Sequence, residues 1–190
     1  WPWLVHGADV VRLQADTPRQ AERPADGCWT TEPGIACTVT AADCLPVLFV
    51  LRDGSAVGAA HAGWRGVVGG VLEATAAAMC AGTGAAPADL QAWIGPGIGP
   101  RRFEVGEDVL AAFGQSASAP DAERFVPTTD ARGQRRWLAD LPRLARERLQ
   151  AAGVGRITDS GLCTVEDPSR FFSHRRDRVG GRMAAAIWRD

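Results

Sequence analysis

Short β-branched runs separated by Gly and Pro dominate the first third of the chain, and helical spacing appears further on. Residues 4–13 and 34–40 carry β-branched positions bounded by Gly and Pro, which predicts two strands; residues 16–31 between them are polar and predict a loop. Residues 46–52 and 56–60 are apolar runs joined by Asp53-Gly54, a strong short-range signal for an antiparallel hairpin. Residues 67–81, rich in Ala and Val with Leu72 and Met79, predict a buried helix ending before Gly82. Residues 90–94 then predict a strand running into Gly95-Pro96-Gly97-Ile98-Gly99-Pro100, a loop whose backbone can approach a ligand closely.

Residues 107–113 predict a short helix, and the stripe Leu138, Leu141, Ala145 and Leu149 predicts a second over residues 137–152. Residues 154–158 and 183–188 predict strands flanking a segment with Cys163, Phe171, Phe172 and several arginines. With no internal repeat or linker, residues 1–190 predict one mixed α/β domain.

Composition narrows the chemistry. All 21 basic residues are Arg, and the chain contains no Lys, Tyr or Asn. A lysine Schiff base, a Walker lysine, a phenolic acid and a Cys-His-Asn triad are therefore excluded, and anions fall to Arg, backbone N–H groups or metal. Three His are too few for a multi-copper electron-transfer enzyme, since a blue-copper site alone takes two His and one Cys. A net charge of −1 gives no electrostatic argument for nucleic acid or an anionic membrane, and the longest apolar run, residues 45–51, is too short to span one. Five Cys at irregular spacing, without a CxxC pair or a secretory-type start, predict reduced thiols and a cytoplasmic location. Residue 1 is Trp and opens directly into an apolar stretch, so a further N-terminal segment is expected.

The hairpin brings chemistry together. If Asp53-Gly54 is a two-residue turn, Arg52 pairs with Ser55, His61 faces Pro46 and Cys44 faces Gly63. Cys44 and His61 then become diagonal neighbours with Cβ atoms about 7–8 Å apart, a gap that their side chains can close around an ion. A one-residue change in the turn would flip His61 to the other face. With His6 as third ligand they match a three-ligand metal site with an open fourth position, of the catalytic rather than the structural kind. Without it, Cys44 and His61 read as a nucleophile and base, or Cys44 as a small buried hydrophobe.

Asp43 is placed to orient His61 or carry a proton, or is an exposed turn carboxylate. Gly63-Trp64-Arg65-Gly66 stands where a strand hands over to a helix, which suits an anion held by N–H groups and Arg65, or tight packing alone. Ser173-His174-Arg175-Arg176-Asp177-Arg178 offers phosphate or carboxylate contacts through Arg175 and Arg176, against ordinary surface ion pairing. His174 reads as a general acid or a solvated histidine. Cys28, Cys37, Cys80 and Cys163 read as packing thiols.

Five motifs occur in order: Val5-His6-Gly7, Thr40-Ala41-Ala42-Asp43-Cys44-Leu45-Pro46, His61-Ala62-Gly63-Trp64-Arg65-Gly66, residues 94–100, and Phe171-Phe172-Ser173-His174-Arg175-Arg176-Asp177. Together they resemble the laccase-domain family, first described as polyphenol oxidases and now regarded as purine nucleoside phosphorylases with adenosine deaminase activity. The resemblance extends over nearly the whole chain. It implies an α/β (α+β) sandwich with mixed sheets, a fold also compared with cysteine hydrolases of the cytotoxic-necrotising-factor type.

It further implies zinc held by His6, Cys44 and His61, with copper as the alternative metal. The substrates implied are purine nucleosides (adenosine, inosine, guanosine, methylthioadenosine) and phosphate. In deamination, water activated at the metal would attack C6 of adenine, with Asp43 shuttling protons. In phosphorolysis Arg65, then Arg175 or Arg176, would hold phosphate beside C1′. A cysteine-dependent hydrolase using Cys44 and His61 and a copper-containing oxidase are the other enzyme classes to weigh. The expected partners are small molecules, without nucleic acid or membrane, acting on a monomer or small homo-oligomer. The family usually carries a segment before the first His motif, and often a Tyr where this chain has Phe103 or His174.

Overall fold

A computed structural model describes residues 4–17, 24–178 and 180–190. Eleven strands and five helices follow in chain order among these residues: β1 (Val10–Arg12), β2 (Gly27–Thr30), β3 (Cys37–Ala41), β4 (Leu45–Leu51), β5 (Val57–Ala62), α1 (Trp64–Gly69), α2 (Val71–Thr83), β6 (Leu90–Ile94), β7 (Glu104–Val105), α3 (Glu107–Ala112), β8 (Phe125–Thr129), β9 (Arg135–Ala139), α4 (Leu141–Ala151), β10 (Arg156–Asp159), α5 (His174–Asp177) and β11 (Met183–Ile187). The expected mixed α+β class with several sheets is the one observed.

The alternation in β4 explains the layers. Leu45, Val47, Phe49 and Leu51 form one buried face, while Leu48 and Val50 point the other way and are half-buried. β4 lies inside a six-stranded mixed sheet of order β1-β2-β5-β4-β6-β10. The first face meets α2 and α4 in the main core, with Leu72, Met79, Leu144 and Leu149. The second meets the antiparallel pair β3–β11 in a smaller core with Val39, Val57 and Ile187. A three-stranded sheet, β7-β9-β8, extends the main core through Phe125 and Trp137.

The hairpin register is as expected, with Pro46 opposite His61, but the turn is wider. Leu51 N–H donates to the Ala56 carbonyl at 3.0 Å, so residues 52–55 form the loop. Gly54 takes φ +73°, and Asp53 Oδ1 accepts from Ser55 N–H at 2.9 Å. A symmetric loop widens without altering which residues face each other, and the diagonal placement of Cys44 and His61 survives.

Other elements differ from the sequence reading. The strand expected over residues 4–13 is confined to Val10–Arg12, because Val5, His6 and Gly7 turn their N–H groups onto the Asp26 carboxylate. The region expected as a loop over residues 16–31 contains β2, buried at all four positions; residues 18–23 of it lie outside the described residues. A strand covered on both faces has no polar alternation to announce it. The helix expected over residues 67–81 is two helices, broken at Gly70 with φ +89°. Trp137 belongs to β9, and α4 starts only after Asp140, whose side chain accepts from Arg143 N–H while Pro142 occupies the first turn.

Candidate metal centre

Cys44 immediately precedes β4 and Gly63 immediately follows β5, so the hairpin's open end delivers the Cys44 thiol and the His61 ring to one point. His6 arrives from outside the sheet, on a turn in which it takes φ +59°. The ligand atoms of His6, Cys44 and His61 lie within 4.8 Å of one another, and the two imidazole centroids are 4.8 Å apart. Ligand distances of about 2.0–2.3 Å around zinc put donors roughly 3.3–3.8 Å apart, so shifts of roughly 1 Å or less close this set on one ion. Gly63 makes room for the donors: a Cβ there would lie 2.8 Å from Cys44 Sγ and 3.2 Å from His6 Nδ1.

The surroundings favour a bound cation. Burial, with the carboxylates of Asp43 and Asp26 adding to it, pushes the Cys44 thiol up to about 12. Such a thiol stays protonated unless a positive charge sits beside it, which a coordinated metal supplies. Burial holds His61 below the usual histidine range despite the opposing pull of Asp26, so its imidazole is neutral, as a metal ligand must be. His61 Nδ1 lies 2.8 Å from Asp26 Oδ1, leaving Nε2 for coordination.

His6 and Cys44 line a cleft of about 210 Å³ whose other walls include Asp43, Trp64, Arg65, Phe103, His174 and Arg175, while His61 is buried and off its walls. Arg65 stacks on Trp64 at 4.3 Å. Arg175 lies over Phe103 at 5.5 Å and donates from NH1 to the Glu104 carbonyl at 2.9 Å, which leaves further N–H groups on each guanidinium. Arg176 is not brought to the cleft. Its guanidinium donates to the carbonyls of Thr164 and Phe171 and pairs with Asp177, tying down the segment around α5.

Asp43 reaches the cleft wall as a hydrogen-bond hub and is 9% exposed, unlike the exposed turn carboxylate that was one of its sequence readings. It accepts from Thr164 Oγ1 at 2.6 Å, Ser173 Oγ at 3.1 Å and Arg175 N–H at 2.6 Å. Asp26 and Thr164 went unread in the sequence. Asp26 stands in Pro24-Ala25-Asp26-Gly27, which has the composition of an exposed turn, yet it is fully buried. A larger cleft of about 430 Å³, lined by Trp93, Phe171, Arg170 and Met183 among others, has no His, Cys or carboxylate on its walls.

The family described as "Multi-copper polyphenol oxidoreductase laccase" matches residues 1–190. This chain belongs to that family. It is 47% identical over 188 residues to a Pseudomonas aeruginosa protein named as a purine nucleoside phosphorylase, covering 98% of this chain and 73% of that one. It is 44% identical to an Escherichia coli protein named likewise, covering 99% and 72%. Among solved structures, a Neisseria meningitidis protein superposes with a TM-score of 0.84 at 43% identity, covering 99% of this chain and 74% of the other. Two of the chain's three histidines belong to the one His-Cys-His donor set found among the described residues. Among the described residues all five cysteines are free, and no helix is long and apolar enough to cross a membrane.

Proposed function

We propose that this protein is a purine nucleoside phosphorylase built around one zinc ion, with adenosine deaminase activity at the same site. The observation that carries the reading is a His6, Cys44 and His61 donor set, two members of which line the same cleft as two arginines, Arg65 and Arg175. The names of the similar proteins support the phosphorylase part. When bound, the zinc supplies Lewis acidity and lowers the pKa of water.

The chain's own residues do the rest. Arg65 and Arg175 bind inorganic phosphate through their free N–H groups, in the forked geometry that suits a tetrahedral anion. Phosphate oxygen attacks C1′ of the ribose, the glycosidic bond breaks, and the purine leaves with the bonding pair. Asp43 enters as a positioning residue, because its oxygens are engaged by Thr164, Ser173 and the Arg175 backbone. In deamination water adds at C6 and ammonia departs; His174, on the cleft wall beside Arg175, is the proton carrier.

Product analysis tests this. Zinc-loaded protein is incubated with adenosine, inosine or methylthioadenosine, with and without phosphate. Free base with ribose 1-phosphate is expected only with phosphate, and inosine from adenosine in either case. No turnover by fully loaded protein would contradict both activities.

A further inference from the structure

Asp26 is a fully buried carboxylate whose two oxygens are engaged by three backbone N–H groups and the Nδ1 of His61. Oδ1 accepts from His6 N–H at 3.0 Å and pairs with His61 Nδ1 at 2.8 Å. Oδ2 accepts from Val5 N–H at 3.1 Å and Gly7 N–H at 2.7 Å. A carboxylate offers about four lone-pair sites, and all are used. Three successive backbone N–H groups thus form a concave nest around one anion, and the ring of a second histidine completes it.

The two histidines in contact with Asp26 are the two imidazole donors of the metal centre. They reach it by unrelated routes: His61 along β5, and His6 on a turn packed against no strand partner of its own. His6 holds φ +59°, a left-handed conformation that is costly for a non-glycine residue and persists only where its surroundings enforce it. The enforcing contacts are the three N–H bonds to Asp26. The Asp26 main chain is fixed in turn, its carbonyl accepting from His61 N–H at 2.7 Å and its own N–H donating to the Asp9 carbonyl at 3.1 Å.

We infer that Asp26 is a positioning residue for both histidine ligands at once, setting the Nδ1–H tautomer of His61 and the backbone turn that presents His6. A hydrogen bond to the ring alone would orient one ligand; the shared carboxylate makes the spacing between the two ligands a property of one side chain. It also places a negative charge behind the donors, so that with the Cys44 thiolate the cluster carries two negative charges for a divalent ion to balance. The inference rests on the metal reading above.

The test is zinc affinity, read by competition with a chelating dye for the wild-type chain and for Asp26→Asn, with melting of each metal-free protein as control. Asp26→Asn keeps the shape but turns one acceptor into a donor facing N–H groups. It is expected to bind one equivalent of zinc about 10- to 100-fold more weakly than wild type. Unchanged affinity with a lowered melting temperature would assign Asp26 a purely structural role and overturn the inference, leaving the metal reading intact. A wild-type chain that takes up no zinc would overturn both. If Asp26→Asn does not fold, nitrogen-15 NMR of the wild-type imidazoles decides: the proton of His61 is expected on Nδ1 and protected from exchange, and a proton on Nε2 would overturn the inference.

Discussion

Asp26 and Asp43 are both buried carboxylates surrounded by donors, and each organises one wall of the same cleft. Asp26 collects Val5, His6, Gly7 and His61, and so gathers two of the proposed metal ligands. Asp43, with φ +97° and one residue before Cys44, collects Thr164, Ser173 and Arg175, and so gathers the proposed anion-binding wall. Segments more than a hundred residues apart are locked together by the second, while the first ties the chain's start to the sheet. The same device therefore serves two kinds of chemistry, and damage to one wall should be separable from damage to the other.

The largest effect is expected from Cys44→Ser, which removes the thiolate donor. Zinc content measured by elemental analysis should fall to background, and phosphorolysis and deamination should both drop by more than about 100-fold. Gly63→Ala attacks the same wall sterically. Its Cβ would lie 2.8 Å from Cys44 Sγ, so the donors must part; about 1–3 kcal/mol of stability should be lost in denaturant melts, together with weakened zinc binding.

Arg175→Ala attacks the other wall. Loss of a charged hydrogen bond of about 1.5–3 kcal/mol should raise the KM for phosphate roughly 10- to 150-fold in steady-state kinetics, with zinc content unchanged. Arg176→Ala sharpens the comparison between neighbouring arginines. Its bonds run to the Thr164 and Phe171 carbonyls rather than the cleft, so melting should fall by about 2–8 °C while the phosphate KM moves only a few-fold.

The walls also differ in how far the sequence disclosed them. The Asp53-Gly54 turn and the apolar runs on either side set Pro46 opposite His61, and that pairing alone carried Cys44 toward His61. Local alternation and turn chemistry suffice there because the contact spans a single hairpin. Asp26 was hidden because a carboxylate between Ala25 and Gly27 has the composition of a turn, and its donors arrive from residues 5–7. The partners of Asp43 lie about 120–130 residues away, a distance over which no local pattern operates. The same limit joined α1 to α2, where nothing but the left-handed Gly70 marks the break, and ran α4 back through Trp137, although Asp140 and Pro142 carry the signature of a helix start.

The separation of the walls is tested most directly by following both reactions of adenosine at once in Arg175→Ala. With saturating zinc and phosphate near the wild-type KM, adenine reports phosphorolysis of adenosine, and inosine together with the hypoxanthine formed from it reports deamination. The division of labour predicts that adenine release falls by at least about 5-fold while the sum of inosine and hypoxanthine changes only a few-fold. An equal fall in both products, at full zinc occupancy, would contradict it.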